Sequence, residues 1–519
     1  MRLKRQLVFH ARPLAIAAVV AGAALGAWHF LASDVPAAGR DLADIPFYQL
    51  PFGPDAEGNP RPFWPSRMLT ASGRMADAAR LPSSAECAEC HRVEFEEWAG
   101  SLHAAADRDL VYESAVDANE VIGRHGPERA RFCEGCHAPN ELLSGRTNRF
   151  VSVAPHDALS EGVSCTTCHT AVHSDPLEGN GALTVDLDRA ERDRGGPQGA
   201  ALLADPRAHL AAYGAPETVA LMKSSDLCGA CHTEYYDESM SKKGARQDVQ
   251  STFTEWRDSW YAKNDVTCQD CHMAPDPAAH VMRVREGDTT KPARYSHRFI
   301  GANTVMADAG LGEALMVLRG GYLPGVDATL NAATLAEQFR QTEEFLRTAA
   351  GLELRRANIA DDGLHLAIAV QNLGAGHSLP TGVNDQKHIE LEVVLADASG
   401  RELFRSGGDG ARLVGADDAE TVRWIEDFLD LEGRVIPDHL TFRTAAVIWQ
   451  RDAIPARGED VVTYDVPLPD DVAGPLTLRA RLLYRIARPE LILSNMRINM
   501  TIPSFTLAEL TASVPGTSR

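Results

Sequence analysis

The chain has 519 residues, enough for about two to four domains with an ample core. Its formal net charge is -21, which disfavours nucleic acid and anionic membrane as partners and could steer basic proteins toward it. Only 6% of residues are aromatic and 44% hydrophobic, so ordinary side chains supply a modest share of apolar bulk for a chain of this length.

Arg2, Lys4, Arg5 and Arg12 precede a mainly apolar run from Leu14 to Ala32. This order is that of a signal peptide or an uncleaved anchor, within residues 1–34. The run is long for a signal segment and just sufficient to cross a bilayer, so the reading leans toward an inner-membrane anchor. Positive residues before the span place the remainder outside the cytoplasm, in a periplasmic setting. Residues 35–80 are rich in proline, which predicts an extended segment. Phe47, Tyr48, Phe63 and Trp64 within it argue for docking, because a free linker seldom carries such residues.

Residues 81–330 contain one unit written five times: Cys87-Ala-Glu-Cys90-His91, Cys133-Glu-Gly-Cys136-His137, Cys165-Thr-Thr-Cys168-His169, Cys228-Gly-Ala-Cys231-His232 and Cys268-Gln-Asp-Cys271-His272. Each CxxCH reads as an attachment site for haem c. Two thiols one helical turn apart can form thioethers to the porphyrin edge, and the following imidazole can turn onto the iron. Zinc ribbons use CxxC pairs but do not require His after the second Cys. All ten cysteines fall inside the five motifs. The expected cofactors are therefore five covalently attached haems, which would also supply the missing apolar bulk. The region reads as short helices and irregular loops with no strand alternation of note. A weak repeat, FxEWxxS, occurs at Phe95–Ser101 and Phe253–Ser259. The first copy follows a haem motif and the second precedes one, so the repeat is not simple tandem duplication. Its tryptophans are expected either at haem faces and edges or in helix packing.

A helix is expected over 331–350, with Leu335, Phe339 and Leu346 on one face, connecting the motif-bearing region to the C-terminal one. From 351 to 519 the pattern changes to period two. Leu366, Ile368 and Val370 come after an Asp361-Asp-Gly363 turn; Ile389, Leu391, Val393 and Leu395 alternate, as do Leu476, Leu478, Ala480, Leu482 and Tyr484. Such strands predict a β-sandwich. The fold class is α+β, a mainly helical or irregular multihaem domain followed by this sandwich.

A second axial histidine closes an iron for electron transfer, whereas an open position lets it bind a small molecule. His103, just after Trp98 and Ser101, is the strongest distal candidate. His297 in Ser296-His-Arg-Phe299 comes next, then His377 in Gly376-His-Ser-Leu-Pro-Thr-Gly382, a loop able to reach across an interface. His173 comes four residues after His169, on one helix face with it, and could serve a neighbouring haem. His156 and His125 are weaker candidates. His209, His280, His388 and His439 read as surface or hydrogen-bonding residues, and His365 as solvent-facing.

With these motifs in hand, the chain resembles the multihaem cytochromes related to cytochrome c554 and, more distantly, hydroxylamine oxidoreductase. The likeness lies in CxxCH…WxxSxHA from Cys87 to Ala104, in Gly162-Val-Ser-Cys165, and in Glu255-Trp256 through Val266-Thr-Cys268 to Met273. It continues in Ser296-His-x-Phe299 and Gly376-His-x-Leu-Pro-Thr-Gly382. The resemblance implies closely stacked haems, mostly bis-His ligation and distal roles for His103, His297 and His377. Five motifs, rather than four or eight, and the added β-domain depart from both relatives. The expected activity is electron transfer between redox partner proteins, a membrane quinol oxidase or other cytochromes among them. The alternative is an oxidoreductase acting on a small nitrogen or sulfur compound at one five-coordinate haem.

Overall fold

The computed structural model describes residues 63–77, 81–108, 112, 130–144, 161–187, 206–236, 246–302, 328–408, 421–439, 443–472, 474–496 and 504–515. The expected anchor over 14–32 lies outside the described residues, as do Phe47, Tyr48, His125 and His156. Among the described residues no helix is long and apolar enough to cross a membrane.

The motif-bearing part is built from short elements. Phe63 and Trp64 are buried, as their docking requires, and strand β1 (Leu69–Thr70) comes after them. Helices α1 (Ser84–Cys87), α2 (Arg92–Ala99), α3 (Ala130–His137) and α4 (Cys165–His169) then carry or flank the first three motifs. Strands β2 (Ala171–Ser174) and β3 (Leu183–Val185) join β1 in a three-stranded sheet, β1 parallel and β2 antiparallel to β3. Helices α5 (Pro206–Tyr213) and α6 (Ser225–Gly229) lead to a hairpin of β4 (Glu234–Tyr236) and β5 (Gln247–Gln250). Helices α7 (Thr252–Asp258), α8 (Cys268–His272) and α9 (Pro277–Arg285) complete this part. The two small sheets correct the expectation of a region without strands. Their strands run two to four residues, too short for alternation to show in sequence.

Helix α10 (Ala328–Leu346) leads out of the motif-bearing part. Leu335 and Leu346 are buried as expected, while Phe339 is only half-buried, and Gln338, Gln341 and Thr342 share the inner side. Polar inner residues are tolerated because they find partners: Gln338 donates to the Arg298 carbonyl and Gln341 to that of Pro275. The helix is thus fastened to the motif-bearing part through hydrogen bonds as well as apolar contact.

The C-terminal part is two facing sheets. One orders β13 (Glu459–Val466), β7 (Gly363–Asn372) and β6 (Ala350–Ala360); the other orders β10 (Val422–Trp424), β8 (His388–Ala396), β14 (Leu476–Arg485) and β15 (Phe505–Val514), with β9 (Glu402–Ser406) beside β8. Gly363, at φ +136, makes the tight turn between β6 and β7, where a side chain would meet the Val466 carbonyl. Leu364, Leu366, Ile368 and Val370 pack against Ile389, Leu391, Val393, Leu395 and the inward residues of β14 in one core. The other face of β8 carries buried Glu390 and Glu392, which are neutralised by Arg423 and by Arg405 and Arg481. A smaller pair, β11 (Glu426–Leu429) and β12 (Ala446–Trp449), lies apart.

Candidate functional site

Among the described residues, four pairs of imidazoles face each other across gaps of one size. Their ring centres are 6.1 Å apart for His91 and His209, 6.2 Å for His169 and His297, 6.3 Å for His272 and His377, and 6.4 Å for His103 and His232. In every pair one ring closes a CxxCH motif and the other arrives from elsewhere in the chain. A metal–imidazole bond is about 2 Å, so one metal ion shared by two rings sets their centres roughly 6.3 Å apart. The rings of three pairs are near parallel, at 24°, 15° and 13°, whereas those of His103 and His232 are turned by 66°.

The remaining donors fit haem c. None of the ten cysteines forms a disulfide, and α4 and α8 present their two thiols one helical turn apart. A zinc cage needs four donors, and among the described residues no three His, Cys, Asp or Glu side chains converge on one point. Nδ1 of His103 and of His297 is buried without a hydrogen-bond partner, which protein interiors seldom leave so. Desolvation holds four of the eight rings neutral, as a ligand must be: it lowers His232 to about 3 and His103, His169 and His272 to about 4. His297 and His377 are lowered for the same reason.

Local contacts orient these rings. Nδ1 of His272 lies 2.6 Å from the Ile300 carbonyl and Nδ1 of His137 lies 2.9 Å from that of Ala106. Each such bond leaves Nε2 to face inward. The side-chain amide of Gln250 is 3.1 Å from His232 Nδ1. The loop from Ser296 to Ile300 serves several rings at once. It carries His297, holds His272 through Ile300, and places Phe299 4.4 Å from the His103 ring.

Residues 86–170 match the family described as cytochrome c554 and c-prime. A solved structure, a penta-heme cytochrome c552 from Thermochromatium tepidum, aligns with 84% of this chain and 100% of that one at a TM-score of 0.52 and 18% identity. The aligned share is too large for the motif-bearing part alone, so that fold spans the β-rich part as well. In this segment and in its fold the chain is similar to multihaem c-type cytochromes.

The structure brings His103, His297 and His377 each opposite a motif histidine. His173 is a correction: α4 ends at His169, Thr170 caps it, and His173 stands exposed on β2. The helix-face argument fails because no helix continues there. His209 is the residue that sequence reasoning missed, assigned to the surface yet paired with His91. It sits on the eight-residue helix α5, with no motif around it to mark it. The Tyr112 ring stacks on that of His137 at 4.0 Å and 3°, too near for these two to share an iron. His280 is buried beside Arg283, His365 bonds Asp465 and Asp362, and His439 bonds Asp385.

The FxEWxxS repeat acquires a different meaning in three dimensions. The Trp98 indole donates to the Val163 carbonyl at 2.8 Å, and the Trp256 indole to the Val266 carbonyl at 2.9 Å. Val163 and Val266 each stand two residues before the first Cys of a motif. The Phe95 N–H donates to the His91 carbonyl and the Phe253 N–H to that of His232. Ser84 and Ser225, each three residues before a motif's first Cys, accept from the N–H of Cys165 and Cys268. Each copy therefore joins two motifs, the first with the third and the fourth with the fifth. The repeat is thus a motif–helix–motif unit written twice, and its tryptophans donate to backbone while packing in the apolar clusters of Phe95 and of Val266.

Proposed function

We propose that all five CxxCH motifs carry haem c and that the cytochrome relays electrons between redox partner proteins outside the cytoplasm. The single observation that carries this reading is the set of four imidazole pairs at one metal-sized separation. On this reading the proximal and distal ligands are His91 with His209, His169 with His297, His232 with His103, and His272 with His377. Haem c, when bound, supplies a one-electron couple at iron. The chain's own residues do the rest: the paired imidazoles would hold the iron from both sides, and backbone carbonyls orient the rings of His272 and His137.

Contacts among the motifs support a continuous relay. Cys87 lies against Cys165, Cys228 against Cys268, and Cys136 against Cys231, while Cys168 sits within electrostatic reach of Cys228 and Cys231. All five motifs thereby form one connected set, ordered first–third–fourth–fifth with the second branching from the fourth. The acidic chain suits partners with basic docking faces, a membrane quinol oxidase or other cytochromes among them. Export and an anchor over 14–32 are inferred from the basic-then-apolar order of the N-terminal sequence.

A carbon monoxide titration of the reduced cytochrome tests the reading. Closure of four irons predicts that about one CO or fewer binds per chain; uptake by several irons would refute it. The second reading is an enzyme that acts on a small nitrogen or sulfur compound at one five-coordinate haem. A high-spin signal moved by nitrite, hydroxylamine or cyanide would select this enzyme reading, and its absence would leave the carrier.

A further inference from the structure

We propose that Glu97 and Glu255, the acidic residues of the two FxEW turns, are positioning residues that set the distal imidazoles His297 and His377 opposite the motif whose proximal side the neighbouring tryptophan holds. The proposal rests on the axial assignments made above and adds to them the device that fixes their geometry.

Glu97 is 5% exposed. Its carboxylate accepts from the His297 backbone N–H at 2.9 Å and from Arg294 at 2.7 Å. Holding that N–H fixes the Cα from which the His297 ring swings. One residue later, Trp98 holds the Val163 carbonyl at the entrance to the Cys165–His169 helix. One helical turn therefore grips both sides of the same iron position.

The second copy repeats this arrangement with different loop chemistry. Glu255 accepts from the Ser378 N–H at 3.1 Å and from the Thr381 hydroxyl at 2.6 Å, and Thr252 Oγ1 stands 2.9 Å from Thr381 Oγ1. Ser378 is the residue after His377, and Trp256 holds the Val266 carbonyl before the Cys268–His272 helix. The distal loop here comes from the β-rich part, so the same turn also docks that part onto the motif-bearing one.

The two gripped pairs share one geometry, 6.2 Å and 15° against 6.3 Å and 13°. The two pairs without such a turn differ from it and from each other, at 24° and 66°. A carboxylate acting only as a staple between loops would explain the hydrogen bonds but not the matched ring geometry.

The test uses the haem-loaded full chain and four variants: Glu97→Ala, Glu97→Gln, Thr381→Val and His297→Ala. Electron paramagnetic resonance and CO uptake are the readouts, with thermal melting alongside. His297→Ala should open one iron and add about one CO per chain. Glu97→Ala should shift the g-values of one low-spin iron and raise CO uptake by a fraction of one site. Glu97→Gln, whose amide oxygen still accepts from the His297 N–H, should restore the native spectrum. Thr381→Val, a milder change that keeps the carboxylate, should perturb the signal of a different single iron. A lowered melting temperature with g-values and CO uptake unchanged in both Glu97→Ala and Thr381→Val would overturn the positioning role. An unchanged spectrum in His297→Ala would instead overturn the axial assignment beneath it.

Discussion

A histidine serves as an axial ligand only if its ring is neutral and aimed, and the chain supplies these conditions from separate sources. Burial keeps His103, His169, His232 and His272 deprotonated well below neutral pH, and carbonyls such as Ile300 do the aiming. His377→Ala removes one such ring while leaving its loop held by Glu255. The expected outcome is a new high-spin iron and a raised midpoint potential for that haem alone, read by spectroelectrochemical titration. His103, His297 and His377 were legible in sequence because short Ser-, Gly- or Pro-bounded motifs frame them. His209 was not, because its role arises from where α5 lies relative to His91, and sequence spacing carries no trace of that approach. His173 misled for the opposite reason, since a spacing that suits a helix was applied past the end of that helix.

At the scale of elements, the duplicated FxEW turn explains why motifs far apart in sequence lie together. Trp256→Phe deletes one half-buried indole N–H donor and leaves the Val266 carbonyl to find another. It should lower stability by about 0.5–1.5 kcal/mol, measured by thermal melting of the loaded protein. In the sandwich, Leu391 is fully buried between the sheets, and Leu391→Ala should cost about 2–5 kcal/mol in denaturant unfolding. A third element-scale expectation concerns His439, which is bonded to Asp385. Burial lowers its pKa, but the charge of Asp385 and the hydrogen bond outweigh this, aided by Glu234 and Asp438, and the net shift is upward. A raised folded-state pKa means that this pair's stabilisation is complete below the ordinary histidine value of about 6.5 and is lost as pH rises through the raised one. Melting temperature should therefore decline across that window in the native chain, and Asp385→Asn should flatten the profile. The alternating strands were readable because both core-facing rows are apolar, and α10 because its ends are marked by leucines. The two small sheets were not readable, as strands of a few residues are held by neighbours rather than by pattern.

At the scale of the whole molecule, the β-rich part completes the motif-bearing part. Its Gly376–Gly382 loop delivers His377 to His272 and is tied down by Glu255 through Ser378 and Thr381. The α+β order and the switch from motif to alternation near residue 350 were visible in the residues themselves, whereas the dependence of one part on the other was visible only as a single histidine in a tight loop. The most direct test is the electron paramagnetic resonance spectrum of the fully oxidised native protein, integrated per chain. Near-parallel imidazole planes lift the degeneracy of the iron π orbitals and give rhombic low-spin signals, while strongly crossed planes leave them nearly degenerate and give a signal of large g anisotropy. The ring angles predict three rhombic low-spin irons, for the pairs at 24°, 15° and 13°, and one highly anisotropic iron for His103 with His232 at 66°. A spectrum without bis-imidazole low-spin iron, or with all such irons of one rhombic type, would contradict the account.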